Sequence, residues 1–280
     1  SSSLNAYSYD QIAPSAPTVG GNIGQLTASN SFSDYAIRGG FFRFNYNYKD
    51  KYLFEANGRY DGSSKFPKND RFGFFPSFSA GWNIAKESWM EKTEDWLSEL
   101  KFRASWGQIG NQNIANYAYF PSMEAFETTA WLKDGEKVTY ISAPGLVSSS
   151  FTWEVVETLD FGLDATLLNN RLKASFDWYQ RVTSDMHTAG VTLPSTFGAS
   201  VPKINYGELT ATGWELALDY SHKFDNGLGL NVRGSISHVT EEITKWSDKD
   251  KSVTGNYLGK KLGEIWGFET EGIFQSEEEV

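Results

Sequence analysis

Apolar and polar residues alternate along most of this chain, in stretches of about ten residues between Phe42 and Ile236. Residues 42–48 read FRFNYNY, with an aromatic ring at every second position and polar side chains between them. Successive side chains of a β-strand point to opposite faces, so a strict period of two predicts a strand with one apolar and one polar face. The pattern therefore predicts an all-β fold.

Eight such stretches follow one another, and each is predicted to be a long strand: 36–48, 52–61, 71–84, 99–107, 157–168, 171–183, 208–222 and 228–238. One face of every strand is apolar. The opposite faces carry charged residues, among them Lys101, Asp160, Asp164, Lys173 and Asp219. Strands in globular proteins are usually about five or six residues long, so strands of about nine residues or more favour a transmembrane barrel.

Short and long connections alternate between these strands, as in an outer-membrane barrel with brief periplasmic turns and extended external loops. Tight turns are predicted at 49–51, 169–170 and 225–227, and long polar connections at 61–70, 108–156, 184–207 and from 239 onward. The connection 85–98 breaks this rule and is predicted to form a short amphipathic helix. Pro76 cannot donate to a strand ladder, so we expect a β-bulge at that position.

Composition narrows the classes of protein that fit this pattern. Aromatic residues make up 16% of the 280 residues, which suits the girdles of a membrane barrel and also a carbohydrate-binding module. The net charge of −10 argues against nucleic-acid binding, because neutralising phosphates requires a basic surface. The chain has no cysteine, which excludes a disulfide scaffold and thiolate chemistry, and no apolar run is long enough for a transmembrane helix.

Two groups of residues are candidates for a functional site. If the strands form a barrel, charged residues of the polar faces line its lumen: Arg43, Glu55, Arg59, Asp61, Arg103, Asp177, Arg181, Glu215 and Arg233. The long connection 108–156 carries aromatic rings that could stack on sugar rings, and its candidate substrate-binding residues are Tyr117, Tyr119, Trp131 and Tyr140. Anchoring of the loop, or packing on a partner, is the competing interpretation of these aromatic residues.

No pattern of residues indicates catalysis, a metal site or a cofactor. The three histidines are scattered, and 248–252 imitates the start of a calcium-binding loop without its glycine and glutamate. Asp160 and Asp164 share a strand face, as a pair of glycosidase carboxylates would, but a water-filled lumen presents such residues too. We therefore expect a protein that is not an enzyme and needs no cofactor.

Three longer motifs stand out along the chain: YDGSSKF at 60–66, RFGFFPS at 71–77 and LKFRASWG at 100–107. Shorter motifs lie at 43–46, 49–52, 81–82, 110–112, 153–158, 205–215, 266–268 and 272–279. In this order, the motifs resemble those of the SusC/RagA family of TonB-dependent outer-membrane transporters. The resemblance extends over most of the chain.

The resemblance implies that this chain is a slice of a larger protein. A family member carries a signal peptide, a carboxypeptidase-regulatory-like domain, a TonB box, a plug and a barrel of about 22 strands. Residues 1–280 are expected to form a single partial barrel domain that lacks these parts and the C-terminal strands. The implied function is import of oligosaccharides or oligopeptides, energised by TonB, with a SusD-type surface lipoprotein as partner. The implied location is the outer membrane of a Gram-negative bacterium of the Bacteroidetes type, in contact with its lipid.

Two other functions fit parts of the pattern. A passive outer-membrane porin would keep the barrel and lack the plug, and only the motifs argue against it. A soluble β-sandwich that binds carbohydrate would explain the aromatic residues and the acidic composition, but not the long strands.

Overall fold

The structure is a computed structural model, and it describes residues 2–5, 29–123, 125–133, 136–148, 151–190, 194, 196, 201–247 and 255–270. The strands of this part of the chain are β1 (Ser2–Asn5), β2 (Ser29–Phe32), β3 (Ile37–Tyr48), β4 (Tyr52–Ser63), β5 (Phe72–Asn83), β6 (Leu97–Asn111), β7 (Ala125–Lys133), β8 (Glu136–Ile141), β9 (Glu154–Leu167), β10 (Leu172–Ala189), β11 (Lys203–Lys223) and β12 (Gly229–Lys245). No helix within these ranges is long and apolar enough to cross a bilayer.

Eight of the strands form one antiparallel sheet, in the order β12-β11-β10-β9-β6-β5-β4-β3. Strands that are consecutive in this sheet are also consecutive in the chain, apart from β6 and β9, which pair across a long connection. That connection contains the small hairpin β7–β8, and β1 pairs only with β2 among the strands named above. The eight predicted long strands are thus all present.

Tight turns lie at one end of this sheet and long connections at the other. The turns at 49–51, 168–171 and 224–228 join β3 to β4, β9 to β10 and β11 to β12. They contain left-handed backbone at Lys49, Asp50, Leu168, Asn169, Asn170 and Gly227. The opposite end carries the connections 64–71, 112–153 and 190–202 and the chain beyond β12. We call the two edges the short-turn end and the long-loop end.

The register places residues of like character opposite one another across the whole sheet. One row of paired residues crosses all eight strands and is apolar throughout: Tyr48, Tyr52, Trp82, Phe102, Leu163, Phe176, Leu216 and Ile236. The adjacent row is on the other face and consists of Asn47, Leu53, Gly81, Arg103, Gly162, Asp177, Glu215 and Ser237. The sheet therefore has one apolar face and one largely polar, charged face.

The apolar face forms a belt that runs obliquely to these rows. On β3 the apolar row starts at Tyr48, the residue nearest the short-turn end, and the aromatic residues continue from there to Phe42. On β12 the same row ends at Ile236, and the next residue of that face towards the long-loop end is His238. Strands that tilt against the axis of a barrel produce such a slant, because lipid covers a band of constant height.

Side chains of the apolar face are exposed rather than packed under a second layer. More than a third of the accessible surface remains open at Tyr46, Phe54, Phe74, Phe78, Phe102, Phe161, Leu163, Phe176 and Leu218. In a β-sandwich the apolar face of each sheet is buried against the other sheet. The exposed face argues against the soluble β-sandwich and provides a surface that lipid would cover.

Six strands extend further towards the long-loop end than the alternating pattern predicts. β4 continues to Ser63, β6 continues to Asn111, β9 begins at Glu154, and β10, β11 and β12 are lengthened in the same direction. In these extensions the face that is apolar in the belt carries polar residues. Gln108 Nε2, for example, donates to Glu157 Oε2 at 2.8 Å across this face. Backbone pairing thus continues beyond the belt, where water satisfies both faces and alternation is no longer required.

The prediction of one amphipathic helix over 85–98 is wrong. The segment forms two 3₁₀ turns, Ile84–Lys86 and Ser88–Thr93, and β6 already begins at Leu97. Glu87 separates the two turns with an extended backbone, φ −75° and ψ 142°. A continuous helix is therefore interrupted in its first turn.

The predicted β-bulge at Pro76 is also wrong. The β4–β5 register passes without a shift through Gly58 opposite Pro76. Pairing of β5 with β6 begins only at Ser77, opposite Gly107, so Pro76 lies at a local edge of β5. An edge is the other place in a sheet where a residue without an N–H donor is tolerated.

The chain beyond β12 folds back on the long-loop end of that strand. Ile243 N donates to Lys260 O at 2.9 Å, and Gly259 N donates to Ile243 O at 2.8 Å. Leu262 N donates to Glu241 O at 2.9 Å. These bonds use the edge of β12 that faces away from β11.

The two faces predict opposite responses to a new charge. We expect Leu163→Arg in the full-length protein to impair barrel assembly, because a charge on a lipid face costs about 2–4 kcal/mol near the middle of the bilayer. Ser105→Arg is the matched control, since Ser105 lies on the charged face opposite Asp160. Heat-modifiable migration of the folded barrel on gels measures the yield, and equal yields of the two variants would contradict the assignment of the faces.

Candidate functional site

The centre of the charged face is an ion-pair network around Arg103. Its Nε and Nη2 donate to the two oxygens of Asp164 on β9, at 2.7 and 3.0 Å, and Nη2 also donates to Asp177 on β10 at 2.9 Å. Ser175 Oγ donates to Asp164 Oδ1 at 2.9 Å. A two-pronged contact between guanidinium and carboxylate fixes the side-chain orientation as well as the charge. The network joins three adjacent strands.

Gly162 makes the contact between Arg103 and Asp177 possible, because that contact crosses the intervening strand β9. This glycine lies between Arg103 and Asp177 in the register, on the strand that the guanidinium must cross. A Cβ at this glycine would come within 2.5 Å of Arg103 Cζ and 2.6 Å of Asp177 Oδ1. Any side chain at position 162 would therefore displace the ion pair.

The other residues of the predicted lumen-facing group either form ion pairs within the sheet or lie on the charged face without one. Three further pairs form within the sheet: Arg43 with Glu55 at 2.6 Å, Arg59 with Asp61 at 2.5 Å, and Arg233 with Asp219 at 2.6 Å. Arg181 and Glu215 also belong to the charged face, and neither has an ion pair with any residue that the structure describes. The pairing partners Asp164 and Asp219 were predicted on this face but not as site residues.

A shallow cavity of about 470 Å³ lies on the charged face beside the Arg103 network. Small residues of β5 and β6 contribute to its lining. Its polar side chains are Asn45, Asn47, Glu55, Ser79, Lys101, Arg103, Ser105 and Asp160. Both signs of charge and several uncharged donors and acceptors are present. Such a surface can hydrogen-bond water, a polar solute or another polar protein surface.

At the long-loop end, four buried aromatic residues form what we call the rim cluster: Phe66, Phe75, Phe151 and Trp153. The Trp153 ring lies 4.9 Å from that of Phe66 and 5.5 Å from that of Phe75, and its Nε1 donates to Arg71 O at 3.1 Å. Phe75 also fills the gap where β5 no longer pairs with β6. A Cβ at Gly110 on β6 would stand 2.1 Å from its ring, so the glycine leaves room for it.

The connection 64–71 ties this cluster to the other loops. Lys65 Nζ donates to Ile114 O at 3.0 Å and lies 4.7 Å from the centre of the Tyr35 ring. Ser64 and Ala36 exchange two bonds: Ser64 N donates to Ala36 O, and Ala36 N donates to Ser64 Oγ. The YDGSSKF motif thus links the start of β3 to the long connection 112–153.

A second set of bonds clamps the last residues before β9. Thr152 O accepts from Asn205 Nδ2 at 2.9 Å and lies 3.0 Å from His187 Nε2. Glu154 Oε1 accepts from the His187 backbone N at 2.8 Å, and its other oxygen accepts from Asn111 Nδ2 at 2.7 Å. Residues 152–154 are therefore held from β6, β10 and β11 at once.

The structure does not gather the predicted substrate-binding aromatic residues into one platform. The Tyr117 hydroxyl donates to the Asp34 carboxylate, which raises the pKa of that tyrosine. Tyr119 is half-buried, packs against the rim cluster and lies 4.3 Å from the Phe120 ring. Both residues therefore anchor the loop. Tyr140 is on the separate hairpin β7–β8 and is half-exposed, and the Trp131 side chain is outside the described residues.

No group of three acidic, histidine or cysteine residues able to hold a metal ion occurs in the described ranges. The segment 248–252, which imitates the start of a calcium loop, lies outside them. Sequence reasoning missed the rim cluster and the His187–Glu154 contact, because their members are far apart in the chain. The only signal was that Phe66, Phe75, Trp153 and Glu154 fall within the family-like motifs.

The Arg103 network predicts a graded loss of stability. We expect Arg103→Leu to lower the free energy of unfolding by about 1–3 kcal/mol, because two partly buried carboxylates lose their charged donor. Arg43→Leu is the control, since Arg43 has one carboxylate partner and its side chain is 62% exposed, and it should have a much smaller effect. Denaturant titration of the full-length protein in detergent measures both. An equal loss would refute a central role for Arg103.

The Lys65 contacts predict protection of the long connection. We expect Lys65→Met to speed tryptic cleavage at Lys133 and Lys137 in outer-membrane vesicles, because the loop loses its bond at Ile114. Lys68→Met is the control, since Lys68 lies in the same connection and is exposed. Unchanged cleavage in both variants would show that Lys65 does not hold this loop.

Comparison with known proteins identifies the family. A family model described as TonB dependent receptor-like, beta-barrel matches residues 2–263. TonB-dependent receptor P3 of Formosa agariphila is 31% identical over 248 residues, which are 84% of this chain and 24% of the relative. TonB-dependent receptor SusC of Bacteroides thetaiotaomicron is 33% identical over 224 residues, 79% of this chain and 22% of the relative.

A solved structure of the RagAB peptide importer, in its closed-closed state, matches the fold. Its TM-score is 0.70 at 27% identity, over 85% of this chain and 25% of that one. The chain thus spans about a quarter of the length of the proteins it matches. Sequence and fold agree over most of its residues, and the chain belongs to the TonB-dependent receptor family, as a part of the β-barrel of the SusC/RagA type.

Proposed function

We propose that this chain is part of the barrel wall of a TonB-dependent outer-membrane importer of oligosaccharides or oligopeptides. The observation that carries the proposal is the register, which keeps one row apolar across eight strands and puts the charged residues on the opposite face. A wall between lipid and a water-filled lumen requires this division. Family membership adds the outer membrane of a Gram-negative bacterium as the location.

The charged face is then the lumen wall. Seven of the nine predicted lumen-facing residues, all except Arg181 and Glu215, take part in ion pairs within the wall. Paired charges keep the surface polar without strongly attracting a solute of either sign. Arg181 and Glu215 remain available to a solute or to an interior domain, and we propose them as the lumen contacts of this slice.

The relatives support the proposed substrate class and partner. RagAB is described as a peptide importer, and the resemblance to the SusC/RagA family implies oligosaccharides as the other class. We propose a SusD-type lipoprotein as the surface partner and TonB as the source of energy, acting through parts of the protein outside this chain. The relatives from Formosa and Bacteroides support a host of the Bacteroidetes type.

The charged face supports the function of a transporter rather than that of an enzyme. Its acidic residues are neutralised by arginines or spread along several strands, and the cavity beside Arg103 has no nucleophile and base in contact. A passive porin would use the same wall. We favour the energised importer because the chain belongs to the TonB-dependent receptor family.

The test combines purification with uptake. The tagged full-length protein is isolated from detergent-solubilised outer membranes, and growth on glycans or peptides is compared in strains with and without TonB. A stoichiometric lipoprotein and loss of growth without TonB are expected. Uptake that continues without TonB would favour the porin, and a barrel that purifies alone would remove the lipoprotein from the proposal.

The position of the hairpin β7–β8 outside the main sheet leads us to predict that it forms a contact surface that the barrel does not need in order to fold. In the part of the chain that the structure describes, its strands pair with each other and not with the eight-stranded sheet. We expect deletion of residues 125–140 from the full-length protein to weaken binding of substrate or lipoprotein while the barrel still folds. Affinity in detergent and heat-modifiable migration measure the two effects. A barrel that no longer folds would mean that the hairpin is structural.

A further inference from the structure

The connection between β5 and β6 is attached to the apolar face of the sheet. Glu87, between the two 3₁₀ turns, accepts three hydrogen bonds: from Tyr52 Oη at 2.7 Å, from Trp82 Nε1 at 3.1 Å and from Lys51 Nζ at 3.2 Å. These bonds, that of Tyr52 first, lower the pKa of Glu87, so the carboxylate stays charged. Tyr52 and Trp82 are neighbours in the apolar row that crosses all eight strands.

The position of Glu87 determines where the rest of the connection runs. Because both ring partners lie on the apolar face, the carboxylate stands at the short-turn border of that face and not over the lumen wall. Leu97 gives independent support. It pairs with Leu167 of the apolar face, yet only 5% of it is exposed, and the turn Ile84–Lys86 contacts its strand. The connection therefore covers the belt at its short-turn border, on the apolar face of the sheet.

Two tryptophans of this connection are exposed. Trp89 is 63% exposed and Trp96 is 53% exposed, although both are large and apolar. The segment from Ile84 to Trp96 carries four acidic and only two basic residues, so electrostatic attraction to an anionic surface cannot be its role. Indole rings with an apolar body and one N–H donor concentrate where hydrocarbon meets water.

We propose that residues 84–96 form a lipid-binding anchor, with Trp89 and Trp96 in the headgroup layer of the periplasmic leaflet. The occupant is phospholipid, because the segment continues the belt that lipid covers and is bound to its aromatic border through Glu87. The short-turn end is the periplasmic end of such a barrel. The anchor fixes the height of this part of the wall in the membrane, and it requires no substrate, TonB or lipoprotein.

The test places a fluorophore on the segment in the full-length protein, reconstituted in phosphatidylcholine vesicles. The chain has no cysteine of its own, so Trp89→Cys can be labelled with an environment-sensitive dye once any cysteine elsewhere is replaced. Asp225→Cys is the matched control, in the exposed β11–β12 turn at the same end of the sheet. Ser88→Cys, next to Trp89 and also exposed, serves if the tryptophan variant does not assemble.

The quenchers are a nitroxide on the lipid headgroup and iodide in the buffer. We expect the label at position 89 to be quenched several-fold more by the nitroxide, and less by iodide, than the label at position 225, independently of salt. Equal quenching at both positions would overturn the proposal, and so would strong iodide quenching at 89, which would leave the tryptophans for a periplasmic protein. Protection from both quenchers would place the segment inside the barrel and would overturn it too.

Discussion

Uninterrupted backbone pairing is the constraint on which the rest of this structure depends. In hydrocarbon each N–H and C=O must find its partner within the sheet, so the strands keep a continuous register through the belt. With a side-chain period of two, that register also fixes the face of every residue. A slip of one residue on β9 would bring Leu163 to the charged face and Asp164 to lipid. The ion pairs of Arg103 are a consequence of the register, since it places Gly162 where the guanidinium must cross.

The two ends of the sheet are stabilised by different interactions. At the short-turn end, left-handed residues close the turns and one carboxylate satisfies the polar atoms of two girdle rings. At the long-loop end, apolar packing in the rim cluster and bonds to residues 152–154 bring distant segments together. A short turn needs only local geometry, whereas a loop of many residues loses much conformational entropy and requires contacts to many partners. The aromatic residues Tyr117 and Tyr119 serve this ordering.

The features that can be predicted from the sequence alone are those that depend on the local alternation of apolar and polar residues. The eight strands, their faces and the tight turns follow from alternation and from turn residues such as Asn169 and Gly227. The prediction failed where a side chain had a partner remote in sequence. Glu87 interrupts the expected helix and bonds to Tyr52, and Pro76 lies at an edge that exists only because β6 diverges. The nine charges predicted to face a lumen could be assigned to one face of the sheet from the sequence. Their ion pairs could not be predicted, because every pair except Arg59–Asp61 joins two strands and depends on their register. No period marks the rim cluster, because Phe66, Phe151 and Trp153 come from connections that no alternation describes and only Phe75 lies in a strand.

The fold-back of residues 259–262 onto β12 has a consequence for how the wall continues. The outward groups of Glu241 and Ile243 are already bonded to the chain's own backbone. A neighbouring strand can therefore pair with this edge of β12 only from Gly229 to about Thr240. The outer edge of β3, by contrast, has no partner strand among the residues that the structure describes. A seam on the β12 side is thus shorter than β12 itself. Towards the long-loop end, the chain's own residues 259–262 close the edge of the sheet in place of a neighbouring strand.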